Sequence, residues 1–160
     1  MAVAEAERQL RTFIAKFDSK HQALIRAVRR ALRRRFPTAW ELVYDNYNFF
    51  VIGYGPTSRP SDALLSIAAG ASGVGLCLIR GASLPDPKQV LQGNGRQTRF
   101  IRLPSADVLD RPEVQAVLAA AEKQAKTKMP PAGDRGRLVI RSVSAKQRPR
   151  RKAPPAGRSR

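Results

Sequence analysis

Histidine and cysteine are almost missing from this chain: His21 and Cys77 are the only ones it has. A lone cysteine closes no internal disulfide, so nothing in the chain asks for an oxidising compartment. The same scarcity removes the Cys/His spacings of zinc sites, and no pair of acids is spaced as a general acid and base. No metal site, cofactor or catalytic residue is therefore read from the sequence. Long apolar runs are lacking too. The best stretch, 63–79, is interrupted by Ser66, Gly70, Ser72, Gly73 and Gly75, too often for a bilayer span. The first residues carry Glu5 and Glu7 where a signal peptide needs positive charge, so the expected location is the cytoplasm.

Negative charge is the other shortage. Against 30 Lys+Arg there are 12 Asp+Glu, a formal net charge of +18 over 160 residues. No acid follows Asp134, while Arg135, Arg137, Arg141, Lys146, Arg148, Arg150, Arg151, Lys152, Arg158 and Arg160 are all basic. Most of the excess thus sits at one end, where it governs solubility and encounters with polyanions rather than fold.

What is present suits a folded domain. Hydrophobic residues make up 42% of the chain, and a domain of this size buries roughly two thirds of its unfolded surface. Leu10, Phe13, Ile14 and Phe17 recur at helical spacing and predict a first helix over about 4–16. Asp18 or Ser19 then offers an N-cap for a second helix over about 19–35, stopped before Pro37. At 100° per residue, Leu24, Ile25, Val28, Ala31, Leu32 and Phe36 fall within one arc of about 140°, opposite Arg26, Arg29, Arg30 and Arg33.

From Ala39 the period changes to that of strands. Segments 40–45, 49–54, 63–68, 74–80 and 99–103 are branched or aromatic, separated by Gly, Pro or Asn turns. They predict a mostly antiparallel sheet of about five strands, with 74–79 apolar or small on both faces and hence central. A third helix over about 111–126, with Pro112 in its first turn, closes the domain at residue 133. Leu138-Val139-Ile140 is placed as a short strand or a segment docked on the core. Residues 134–160 as a whole are basic and proline-containing and are expected to be largely disordered.

Local strings carry a resemblance. Arg33-Arg-Arg-Phe-Pro-Thr-Ala39, Ala63-Leu-Leu-Ser-Ile67 with Gly73-Val-Gly-Leu-Cys77, and Leu91-Gln-Gly-Asn-Gly-Arg96 before Phe100-Ile-Arg-Leu103 are similar to stretches of the YdhG-like family, domain of unknown function 1801. The resemblance spans roughly 8–126 and implies a compact α+β fold: two N-terminal helices, a curved antiparallel sheet and a closing helix. One member of that family is described as a frataxin-like iron carrier, which implies an acidic iron-binding face. Acids here are few and scattered, and the family's Trp-Gly-Met-Pro-like segment is replaced by Tyr44-Asp-Asn-Tyr-Asn48.

Two candidate sites follow. Arg26, Arg29, Arg30 and Arg33 with Lys146, Arg148, Arg150, Arg151 and Lys152 form a polyanion-binding set. Six phosphate contacts from such a set would give a log–log salt slope of about −5 on duplex DNA. A solvated helix face and a solubilising tail explain the same residues. Trp40, Tyr44, Asp45, Tyr47 and Asn48 form the second set, able to orient a small polar or aromatic ligand if they share a sheet face; asparagine-rich strings also simply make turns. Gly93-Asn-Gly-Arg96 lacks the Gly-Lys-Ser/Thr ending of a phosphate loop and reads as a turn. Cys77, mid-strand, reads as a buried inert thiol.

The function these features favour is a non-enzymatic binding module with nonspecific, salt-sensitive affinity for nucleic acid or other polyanions. The alternative is a small-molecule or metal-ion carrier acting near Asp45 and Tyr47. An enzyme ranks third, and oligomeric state is left open.

Overall fold

The computed structural model describes residues 2–134 and 136–153. Helix α1 spans Ala2–Ile14 and α2 spans Ser19–Arg35; the strands are β1 Trp40–Asp45, β2 Phe50–Gly55, β3 Leu65–Gly70, β4 Gly73–Leu78 and β5 Arg99–Arg102. Helix α3, Pro112–Gln124, and a sixth strand β6, Leu138–Val143, follow, and short 3-10 turns occupy Pro60–Asp62, Gly81–Ser83 and Ala106–Asp110. The architecture is α+β, with a mixed sheet in the order β5-β4-β3-β2-β1-β6. The first five strands form an antiparallel meander, and β6 adds to β1 in parallel.

Local chemistry sets the helix limits. Asp18 caps α2 by accepting a hydrogen bond from the His21 backbone N–H at 2.8 Å, a device that stabilises by about 1 kcal/mol. Phe36 ends the helix, and Pro37 forbids another turn. Along α2, Ile25, Val28 and Leu32 are buried at helical spacing. They join Val43, Ile52, Ile67, Leu76 and Ile101, which lie in register across the sheet, in one core. Phe17 and Phe50 meet edge to face within it, ring centres 5.9 Å apart, a geometry the aromatic quadrupole favours.

Every sheet residue of that core has the same strand parity, and the helical residues of the core pack against it. The α-helices therefore lie on one face, and the alternate residues form a second face without a described α-helix, whose middle is nevertheless enclosed: Leu42 is 1% and Ser66 6% exposed, and the turn at Asp62 and Ala63 lies against Gly53 and Gly55. This corrects the expectation for β4. Val74, Leu76 and Leu78 are buried, but Gly75 and Cys77 are only half-buried, so the strand is apolar on both sides, fully covered on one and partly on the other.

Two further corrections concern the end of the chain. Helix α3 does not close the fold: β6 follows it, making six strands rather than five and the sheet mixed. The expected disorder of 134–160 does not hold over 136–153. Leu138 and Ile140 bring apolar side chains to the helix-side core, and β1 offers an edge whose backbone groups need partners. Residues beyond β6 stay attached as well. The Ser144 N–H donates to the Asp45 carbonyl at 2.9 Å, and the Arg148 N–H to the Tyr47 carbonyl at 2.8 Å. Arg135 and residues 154–160, part of the same expectation, lie outside the described residues.

Candidate functional site

Strand β1 carries the only two acids found in the six strands, Glu41 and Asp45. Four residues apart, they share a strand face, and that face looks toward the helices, because Val43 between them belongs to the core. Both carboxylates are buried. A buried charge survives only where it is paired and hydrogen-bonded, and each has recruited a guanidinium.

Glu41 holds Arg29. Arg29 Nε donates to Glu41 Oε2 at 2.9 Å and Nη2 to Oε1 at 2.9 Å, a two-pronged grip. The same guanidinium reaches Glu7 of α1 at 2.7 and 3.1 Å. Tyr54 donates its hydroxyl to Glu41 Oε2 at 2.8 Å. Burial opposes the charge on Arg29, but hydrogen bonds to Glu41 and Glu7 outweigh it and hold the pKa above the ordinary arginine value. The hydrogen bond from Arg29 lowers the Glu7 pKa despite partial burial. Burial first, then the adjacent Glu41 carboxylate, pushes Tyr54 well above the usual phenol range.

Asp45 holds Arg150. Arg150 Nη2 donates to Asp45 Oδ1 at 2.8 Å and to the Asn46 carbonyl at 2.5 Å. Asp45 is 0% exposed and Arg150 is 4% exposed. Lys16 donates to the other Asp45 oxygen at 2.6 Å, and Gln147 bridges Lys16 and the Asp45 carbonyl. Arg151 then reaches the carbonyls of Ala15 and Lys16 in the turn just past the C-terminus of α1, where a cation is favoured by the helix dipole. The C-terminal segment is thus a strap whose anchor is a buried ion pair.

The remaining cations stand outside. Among the four arginines expected to line one solvent face of α2, Arg26, Arg30 and Arg33 are exposed, whereas Arg29 turns inward to its two glutamates. A groove of about 250 Å³ runs between α1 and α2, lined by Leu10, Arg11, Arg26, Arg29, Arg30 and Arg33 among others. The carboxylate lining it, Glu7, is the one Arg29 holds. On the strap Lys146, Arg148, Arg151 and Lys152 are exposed, with Arg148 over the Tyr47 ring at 5.6 Å. Of the polyanion set, seven residues face solvent and two, Arg29 and Arg150, serve as internal counter-charges.

The ligand set is divided. Trp40 and Tyr44 alternate with the core residues and lie on the helix-free face, both half-buried. Asp45 lies on the opposite face, enclosed, and Tyr47 and Asn48 are exposed in the turn before β2. These five residues do not line one pocket. Among the described residues no three His, Cys, Asp or Glu side chains gather as a metal-holding group, and no helix is long and apolar enough to cross a membrane. The Gly93-to-Arg96 string sits in the exposed connection before β5 with no helix after it. Burial raises the Cys77 pKa, only partly countered by the Ser66 hydroxyl.

Sequence reasoning passed over Glu7 and Glu41 as partners of Arg29, Tyr54 as a partner of Glu41, and Lys16 and Gln147 as partners of Asp45. The available signal was the period of β1: Glu41, Val43 and Asp45 share one parity with an apolar residue between two acids, which marks the acids as inward-facing. The fold and its two ion networks define an α+β domain with its α-helices on one face of the sheet and a cationic helical surface. Comparison with known protein families, with characterised proteins and with solved structures found no match.

Proposed function

We propose that this chain is a non-enzymatic binding module that holds polyanions, nucleic acid foremost, through phosphate contacts on the outer surface of α1 and α2, continued by the docked strap. The observation that carries the reading is the arginine groove. Arg11, Arg26, Arg30 and Arg33 border it, and its carboxylate is already engaged by Arg29. Guanidinium groups at helical spacing present donors that suit phosphate oxygens, with charge that survives any physiological pH. The α2 segment contains seven cations and no acid, so the surface offers an anion little repulsion.

Backbone phosphate recognition of this kind carries no base readout, so affinity follows salt rather than sequence. Kinship with the YdhG-like family is part of the proposal, supported by the quoted strings and the order of two helices, five antiparallel strands and a helix. The carrier alternative has less support, because Asp45 already has Arg150 and Lys16 as ligands.

The test is the full chain carrying Arg26→Glu and Arg30→Glu, titrated against duplex DNA at two salt concentrations. Two lost phosphate contacts flatten the log–log salt slope by about 2, and the affinity at low salt falls with it. An affinity and a slope equal to those of the unmodified chain would sink this reading.

A further inference from the structure

The helix-free face of the sheet has an unusual make-up. Across one row Phe100 pairs with Cys77, Cys77 with Ser66, Ser66 with Gly53 and Gly53 with Leu42. The next row runs from Arg102 through Gly75, Ala68 and Val51 to Tyr44. In the first row Leu42, Ser66 and Gly53 are buried; the accessible part of this face is floored by the small Ala68, Gly75 and Cys77, each half-buried, with Phe100 and Arg102 exposed on β5. With strands about 4.8 Å apart, β1 and β5 are about 19 Å from each other.

Two phenylalanines on this side are exposed, Phe49 at 53% and Phe100 at 40%. Each lies against a glycine. A β-carbon on Gly70 would stand 3.3 Å from the Phe49 ring, and one on Gly93 would stand 3.2 Å from the Phe100 ring. Gly93 also has φ +108°, a conformation that excludes most side chains. Glycine therefore steadies one side of each ring and leaves aromatic surface to solvent. Rings held in this way are ordered before anything binds, so docking a flat partner costs little further side-chain entropy.

Charge selects the partner. The strand carboxylates, Glu41 and Asp45, both face the helices and are neutralised there, so no strand acid points to this face. Arg102 is exposed beside Phe100, and Arg148 rests on the exposed Tyr47 ring in the turn leading to Phe49. Exposed aromatic rings flanked by guanidinium groups, on a face without strand carboxylates, match the bases and phosphates of a single strand. A duplex keeps its base faces stacked and would use only the charges.

We infer that the helix-free face, through Phe49 and Phe100, is a base-stacking platform for single-stranded nucleic acid. The inference rests on the polyanion reading above and deepens it: α1 and α2 supply phosphate contacts, and the opposite side of the molecule distinguishes single strands from duplexes.

The experiment is fluorescence anisotropy on the full chain with labelled oligothymidylate, oligouridylate and a duplex of the same length. The set of proteins is the unmodified chain, Phe49→Ala, Phe100→Ala, Phe100→Tyr and the Arg26→Glu/Arg30→Glu pair. Stacking of one base on one ring corresponds to a loss of about 5- to 150-fold on alanine substitution. Each alanine variant is expected to lose that much for the single strands and nothing for the duplex, while Phe100→Tyr keeps its affinity. Equal losses on thymidylate and uridylate assign the platform to bases generally; a loss on one alone assigns it to DNA or to RNA. Alanine variants that bind single strands like the unmodified chain, while the α2 pair loses affinity, overturn the platform and leave the polyanion reading standing. Absence of binding to every oligonucleotide by the unmodified chain overturns both. A concentration-dependent dimer abolished by the alanine substitutions, with oligonucleotide affinity intact, assigns the face to a second copy of the chain and overturns the platform too.

Discussion

Replacing Arg150 with methionine removes the strap's anchor and leaves Asp45 enclosed. Breaking a buried ion pair by deleting one partner costs about 3–5 kcal/mol, because the remaining charge is stranded away from water. Two features of this site reduce that figure. Lys16, whose side chain is 40% exposed, still contacts Asp45 at 2.6 Å. The Nε and Nη1 atoms of Arg150 are buried without a protein partner, and an unsatisfied buried donor costs about 1–3 kcal/mol in the native chain already. The expected destabilisation for Arg150→Met is therefore about 2–3 kcal/mol, or roughly 4–12 °C in Tm for a domain of this size. Adding Asp45→Asn removes the stranded charge, so the double variant should recover most of the loss, with a coupling of about 2 kcal/mol in the cycle. Urea unfolding of the four proteins, followed by circular dichroism, measures all three differences. If Arg150→Met unfolds within about 0.5 kcal/mol of the unmodified chain, the range of ordinary surface substitutions, Arg150 is not seated against Asp45 and the strap is not anchored as described.

Acid stability offers a second check. Arg29 depresses the Glu7 pKa below the ordinary 4.5, so Glu7 contributes stability that is present above that value and lost as pH falls through the folded-state pKa. Glu7→Gln should flatten the acid limb of a stability-against-pH curve, and an unaltered limb would contradict the pairing. Cys77 is half-buried and its pKa is raised by burial; folded protein at neutral pH should therefore react with a thiol-specific reagent well below the rate of a free cysteine, and labelling at the same speed as urea-unfolded protein would contradict it.

Much of the architecture was legible one segment at a time. The limits of α2 follow from Asp18 and Pro37, and the starts and ends of β1 to β5 lie within two residues of the segments read between the turn residues. Such signals are local: a cap, a missing N–H or a two-residue period acts on the neighbouring backbone whatever the rest of the chain does. The strand character of Leu138-Val139-Ile140 was legible for the same reason, and it is the first half of β6.

By itself, then, the amino-acid order determined the helices, the meander and the excess of positive charge, because each depends on residues close together along the chain. Only the tertiary structure decided which cations remain free. Arg29 and Arg30 are adjacent and chemically identical, yet one faces Glu7 and Glu41 and the other faces solvent. Arg150 and Arg151 differ in the same way, because Asp45, 105 residues earlier in the chain, takes the first. Composition counts both members of each pair alike; a buried carboxylate, whose charge must be matched inside the protein, chooses between them only when distant segments meet.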